Sequence, residues 1–122
     1  MNATFYIWIA IGSALGGMLR FWLGTEVVRM YGAGFPWGTW VVNVLGSFVI
    51  GLASNWGDHA PVRFFVMVGL CGGFTTFSSF SLETLGLLRQ GAWQKAVAYM
   101  FLSVVVCLAA AGLGAWLGRG KV

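Results

Sequence analysis

Charge is what this chain has least of. Asp and Glu number 3, Lys and Arg 7 and His 1 in 122 residues, so 8% of positions are charged, against about 25% in soluble domains. A water-soluble globule is excluded on that ground. The single histidine, His59, sits in a loop with no paired carboxylates or ligand cluster around it, so an enzyme is not expected. The net charge of +4 is scattered and forms no basic stripe, which argues against a nucleic-acid partner. Cysteine is scarce too. Cys71 and Cys107 both fall inside apolar stretches and read as small buried hydrophobes, not as a disulfide or a metal pair. The opening MNATFYIW lacks a basic n-region, so the first apolar stretch is expected to stay as a membrane helix.

Apolar residues fill the space that charge leaves. The chain is 59% hydrophobic with a mean hydropathy of +0.85, and a spanning helix needs about 20 mostly apolar residues. Four stretches qualify, residues 4–23, 37–56, 62–88 and 96–117. The connectors 31–36, 57–61 and 89–95 are too short for a soluble domain. The expected fold is therefore an all-α integral membrane protein of four transmembrane helices, with 1–122 forming a single transmembrane domain. Seven Trp, several near segment ends, fit interfacial belts. Nineteen Gly imply close helix packing, as at Gly12 and Gly16, a small-xxx-small face on the first helix.

Within the third stretch, residues 72–81 read GGFTTFSSFS. Paired glycines weaken a helix, and serines and threonines compete for its backbone hydrogen bonds. In hydrocarbon a broken backbone survives only where it is buried in protein or lines a wet cavity. The run therefore predicts a third helix broken near its middle, with an ion site of the kind interrupted helices build. A tight helix contact through small residues would use the same glycines. Phe74, Phe77 and Phe80 recur every three residues and would lie near one face once the helix resumes. A phenyl ring has a positive edge, so rims pointing into a tight pore would favour a small anion.

Two further helices carry polar stripes. Thr39, Asn43 and Ser47 follow at i, i+4 and i+8 on the second helix, and Tyr99 and Ser103 at i, i+4 on the fourth, continuing to Cys107 and Ala111. Asn is costly in hydrocarbon and faces either a partner helix or a cavity. Arg20 reads either as a snorkelling interfacial arginine or as a fixed charge at the mouth of an anion path. Basic residues near segment ends set orientation. Arg63, Arg119 and Lys121 fall on one side and Arg29, Arg89 and Lys95 on the other, and Arg20 within a span tips the count only weakly to the second, a near-tie that gives little reason to choose one orientation. Insertion both ways with antiparallel pairing follows as an expectation.

The runs GSALGGMLRFWLG, GTWVVNVLGSFVIG and GLCGGFTTFSSFSLE, in that order across most of the chain, resemble the Fluc (CrcB) family of small fluoride channels. The resemblance implies a fluoride-selective channel that passively exports cytoplasmic fluoride. It implies an antiparallel, dual-topology homodimer with two pores and a central structural sodium ion, in a bacterial inner membrane. By the same resemblance Phe77 and Phe80 line the fluoride path with their ring edges, and Asn43 donates a hydrogen bond to the ion. Tyr99, Ser103 and Thr39 form a polar track, and Arg20 stands at the vestibule. The carbonyls of Gly72 and Thr75, from both subunits, hold the sodium. Thr76, Ser78, Ser79 and Glu83 lie in the matching run without an implied role.

Two rivals come from other classes. A proton-coupled exporter of the small multidrug type needs a carboxylate deep in the membrane. The first helix here has none, Asp58 is in a loop, Glu26 is near a segment end and Glu83 lies well past the break. A non-conducting membrane assembly subunit would use the mid-membrane Asn and the Phe and hydroxyl run for packing alone.

Overall fold

In the computed structural model the first helix, α1 (Ala3–Tyr31), starts at Asn2, whose Oδ1 accepts the Thr4 N–H. The structure describes residues 2–57 and 60–119; Asp58, His59 and Lys121 lie outside them. Helix α1 runs eight residues past its expected end at 23. Residues 24–31 contain no proline, and Glu26 and Arg29 pair one turn apart on an exposed face. The helix stops at Gly32, where φ is +82°, a region only glycine enters freely. The Gly32 N–H closes the last turn on the Val28 carbonyl at 2.7 Å.

Helix α2 (Trp37–Ala53) begins after Pro36 and ends three residues before 56. Ser54 and Asn55 divert the chain there, as short polar side chains do. Ser54 Oγ donates back to the Gly51 carbonyl at 2.6 Å, and Asn55 Nδ2 donates to the Ala115 carbonyl at 2.8 Å. Helix α3 covers residues 60–74 and contains a π-helical segment, Phe64–Cys71. Two extended residues, Thr75 and Thr76, separate it from α4 (Phe77–Arg89). Helix α5 (Trp93–Leu117) completes the chain, starting three residues earlier than 96. Lys95 Nζ reaches back to the Gly34 carbonyl at 3.1 Å, joining the first turn of α5 to the α1–α2 connector.

Three stretches are long and apolar enough to cross a membrane: Ala3–Tyr31, Pro61–Arg89 and Trp93–Leu117. Helix α2 is also apolar but has 17 residues, about 26 Å of rise against a hydrocarbon core of about 30 Å. The outward faces of the helices carry large apolar side chains such as Ile7, Phe21, Val104 and Leu108. Such a surface needs lipid or another protein against it.

The helices approach closely because small residues meet at the crossings. Gly12 and Gly16 of α1 face Gly69 and Gly73 of α3, one four-residue glycine pair against another. A Cβ on Gly69 would lie 3.0 Å from the Gly12 Cα, and one on Gly73 would lie 2.5 Å from the Ser13 carbonyl oxygen. Gly51 of α2 sits against the Ala111–Ala115 backbone, and Gly114 of α5 against that of Phe48. Where backbones pack this closely dispersion replaces a hydrophobic core. The largest fully buried side chains are only Tyr99 and Val42.

Candidate functional site at the broken span

Thr75 (φ −84°, ψ 155°) and Thr76 (φ −149°, ψ 109°) are the break. It falls inside the 72–81 run, after the glycine pair and not on it. Gly72 is helical (φ −62°, ψ −39°), and Gly73 serves the close crossing with Ser13. The chain leaves the helix two residues later, where side chains replace the lost backbone partners. Thr75 donates twice to the Cys71 carbonyl, from its N–H at 2.9 Å and its hydroxyl at 2.8 Å. Thr76 caps α4, its Oγ1 accepting the Ser79 N–H at 3.1 Å.

Asn43 of α2 fills the place of the missing helical turn. Its Oδ1 accepts the Thr76 N–H at 2.8 Å, and its Nδ2 donates to the Thr76 carbonyl at 3.1 Å. In an unbroken helix the Thr76 N–H would serve the Gly72 carbonyl. Diverting it leaves the Gly72 carbonyl, and the capture of the Ser79 N–H by Thr76 Oγ1 leaves the Thr75 carbonyl, without a backbone donor among the described residues. Arg20 Nε donates to the Gly73 carbonyl at 3.1 Å, placing a cation at the negative end of α3. The break thus sets acceptor carbonyls of one helix end beside the N–H-rich start of another. The first suits a cation and the second an anion.

Six of the expected site residues line one groove of about 500 Å³: Asn43, Gly72, Thr75, Phe77, Phe80 and Ser103. Phe77 is 78% exposed, while Phe80 is half-buried, and their ring centroids lie 5.4 Å apart. Phe74 does not join them. It precedes the break and packs near Gly46. Arg20 and Thr39 line a second cavity of about 330 Å³ together with Thr76 and Ser79. Thr39 also borders a third, of about 460 Å³, with Glu83, Gln90 and Lys95. Thr76 belongs to the first two cavities and Thr39 to the last two, so the three follow one another along the bundle.

Tyr99 is fully buried and stands outside these cavities. Its ring packs on Phe80 (5.1 Å between centroids) and meets Phe35 edge-on (5.4 Å). Its hydroxyl donates to Glu83 Oε2 at 3.2 Å, and the Thr39 hydroxyl donates to Glu83 Oε1. Glu83 therefore ties α2, α4 and α5 together, a role the sequence reading left unassigned. The available signal was an ionisable side chain within an apolar span, which calls for named partners. Among the described residues no group of three or more His, Cys, Asp or Glu side chains is placed to hold a metal ion.

Long apolar helices, one interrupted around hydroxyls, phenyl rings and a single amide, define a helical membrane protein with a groove beside the interruption. The chain belongs to the family described as CrcB-like protein, Camphor Resistance (CrcB), whose model matches residues 7–115. Relatives named fluoride-specific ion channel FluC include one from Methylocella silvestris, 53% identical over 93% of this chain and 89% of its own. Another, from Opitutus terrae, is 52% identical over 91% of this chain and 89% of its own. A third, from Thermus thermophilus, is 48% identical over 100% of this chain and 99% of its own. All three bear the name of an ion channel, a non-enzymatic class.

Proposed function

We propose that this protein is a fluoride-selective channel that lets fluoride leave the cytoplasm passively. The observation that carries the reading is the groove beside the broken span, where the Asn43 amide, Phe77, Phe80 and the Ser103 hydroxyl converge. In our reading these residues form the fluoride path, with Thr39 and Tyr99 along its flank and Arg20 at the vestibule. Fluoride is small and strongly hydrated, so a selective path must replace its water with donors and positive ring edges at close range. Only one of the two Asn43 amide protons is engaged by Thr76, and the other remains for an anion.

Helix α2 then makes the fourth crossing, and two chains pair antiparallel to give two pores. The exposed ring of Phe77 and the apolar face around the groove support a partner there. A sodium ion at the twofold axis would be held by the Gly72 and Thr75 carbonyls of both protomers. The donor-free state of these oxygens fits that ion, which when bound supplies a fixed positive charge joining the two chains. The location that follows is the bacterial inner membrane, in both orientations, with 1–122 as a single channel domain.

Ion flux from liposomes holding the purified protein tests the reading. We expect rapid, proton-independent fluoride efflux with chloride retained. Phe77→Ile and Phe80→Ile should each slow it while the dimer persists on size exclusion. Chloride leaving as readily as fluoride would overturn selectivity, and unchanged flux in both variants would move the path elsewhere.

A further inference from the structure

The third cavity, of about 460 Å³, carries two opposite charges at its two ends, and the fluoride reading has used neither. Glu83 stands on the inner wall. It is fixed there by the Thr39 hydroxyl, which donates to its Oε1, and by the Tyr99 hydroxyl at 3.2 Å from its Oε2. Gln90 lies two turns further along α4, about 10 Å away by helical rise, and is exposed at the rim. Lys95 is exposed there too. Its Nζ crosses from the first turn of α5 to the Gly34 carbonyl at 3.1 Å, and both residues border the cavity, so the ammonium is held across the opening. One of its three N–H groups serves that bond and two are free. On the inner side, Thr39 lines both this cavity and the one that contains Arg20 and Thr76.

We propose that this cavity is a water-facing mouth of the fluoride path and that Lys95 gives the mouth its sign. Taken alone, the Glu83 carboxylate would draw cations in and repel anions. An ammonium set nearer to water meets an arriving ion first. It raises the local concentration of anions and turns cations back. Its place at the rim also avoids a trap. A cation deep in a low-dielectric cavity would hold fluoride tightly, whereas conduction needs sites that an ion can leave. Glu83 behind the ammonium loosens that hold further. The sign of the mouth stands on these two side chains alone; its place on a conduction path rests on the fluoride-channel reading.

The test has one arm without flux and one with it, both run on the full chain in liposomes. In the first, Gln90→Cys places a thiol at the rim, and its rates of modification by an anionic and a cationic methanethiosulfonate are compared. Protein with Gln90 intact gives the background from Cys71 and Cys107. Adding Lys95→Met should lower the anionic-to-cationic rate ratio by about tenfold at low ionic strength, about threefold for each reagent, the effect of one charge some 6 Å away in water. Lys95→Arg should keep the ratio. In the second arm, fluoride efflux is measured at subsaturating fluoride in potassium gluconate, at about 0.01 M and about 1 M ionic strength, where charges are felt over about 30 Å and about 3 Å. Lys95→Met should be about threefold slower at the low strength and equal to the parent at the high one, with Lys95→Arg unimpaired at both. An unchanged labelling ratio would overturn the role of Lys95. A flux deficit that persists at about 1 M would reduce Lys95 to a strap between α5 and the connector. A shifted ratio with unaltered flux at low strength would show that fluoride enters elsewhere. Unaltered protein that passes no fluoride at either strength would overturn the channel reading and the mouth with it, while the labelling ratio still decides the sign set by Lys95.

Discussion

The Asn43 amide and the Thr76 peptide bond each other reciprocally, N–H to Oδ1 at 2.8 Å and Nδ2 to carbonyl at 3.1 Å. One side chain thereby replaces both backbone partners that a peptide loses when a helix is interrupted. The break is held open by α2, a different element from those it separates. Removing the amide leaves a half-buried N–H and a carbonyl unmet, which costs about 1–3 kcal/mol for each unsatisfied group. Asn43→Ala should lower stability in detergent and slow fluoride flux together. Asn43→Asp keeps the acceptor for the Thr76 N–H and loses the donor, so it should retain more stability than Asn43→Ala yet pass less fluoride than the parent. Equal stability of the two variants would show that the Thr76 N–H does not depend on Oδ1.

Adjacent glycines at the break give opposite expectations. A Cβ on Gly73 would lie 2.5 Å from the Ser13 oxygen and 2.9 Å from its Cα, both backbone atoms that cannot move aside. Gly73→Ala should therefore force α1 and α3 apart. Overpacking of this kind costs about 1–3 kcal/mol and sometimes more. A Cβ on Gly72 meets nothing within 4 Å of the same chain. Gly72→Ala should leave helicity and monomer stability intact and weaken the proposed dimer, since the added methyl would stand on the open face beside the proposed sodium site. Circular dichroism and size exclusion on both variants separate the two cases. A fully dimeric Gly72→Ala protein with unaltered sodium dependence would remove Gly72 from the ion site.

Glu83 accepts from Thr39 and Tyr99 with its two oxygens, so neither donor is independent of the carboxyl group. Tyr99→Phe and Glu83→Gln should each destabilise the protein, and the double variant should cost less than their sum. Hydrogen bonds to a charged partner contribute about 1.5–3 kcal/mol, and groups within one network couple by about 0.5–3 kcal/mol. Reversible unfolding in detergent mixtures measures the cycle. Strict additivity would mean that the hydroxyl and the carboxyl group act separately.

The GGFTTFSSFS run announced an interruption without saying at which of its residues the chain would leave the helix. Of the two glycines, Gly73 is a packing surface against Ser13 on α1, while Gly72 faces open space. The chain turns at Thr75 and Thr76, where Asn43 and the Ser79 N–H offer partners. The stripe Thr39, Asn43 and Ser47 was legible as one helix face, but spacing along α2 says nothing of what stands opposite each member. Asn43 meets the break, Thr39 meets Glu83, and Ser47 meets the groove. The pairing of Glu83 with Tyr99 depends on how α4 and α5 settle on each other, and no periodicity records it. Nor does FFVMVGLC carry a mark of its π-helical winding.

Charge at the two ends of the bundle makes a last prediction, about orientation. The Lys95–Gly34 bond and the Asn55–Ala115 bond fix which helix ends lie together. Arg29, Arg89 and Lys95 then share one end with the α1–α2 connector. Arg63 and Arg119 share the other with the start of α3 and the end of α5, and the sequence adds Lys121 to that end. Basic residues are retained on the cytoplasmic side, so three against three gives no charge bias to one orientation, as the proposed antiparallel pair would require. Adding three lysines after Val122 should hold the second end in the cytoplasm and reduce dimer yield and fluoride flux. Co-expression with a variant carrying three added lysines in the 31–36 connector, biased the opposite way, should restore both. Undiminished dimer from the first variant alone would show that pairing does not need both orientations, and rescue without any change in orientation, read by cysteine labelling from outside the cell, would show that the lysines act by another route.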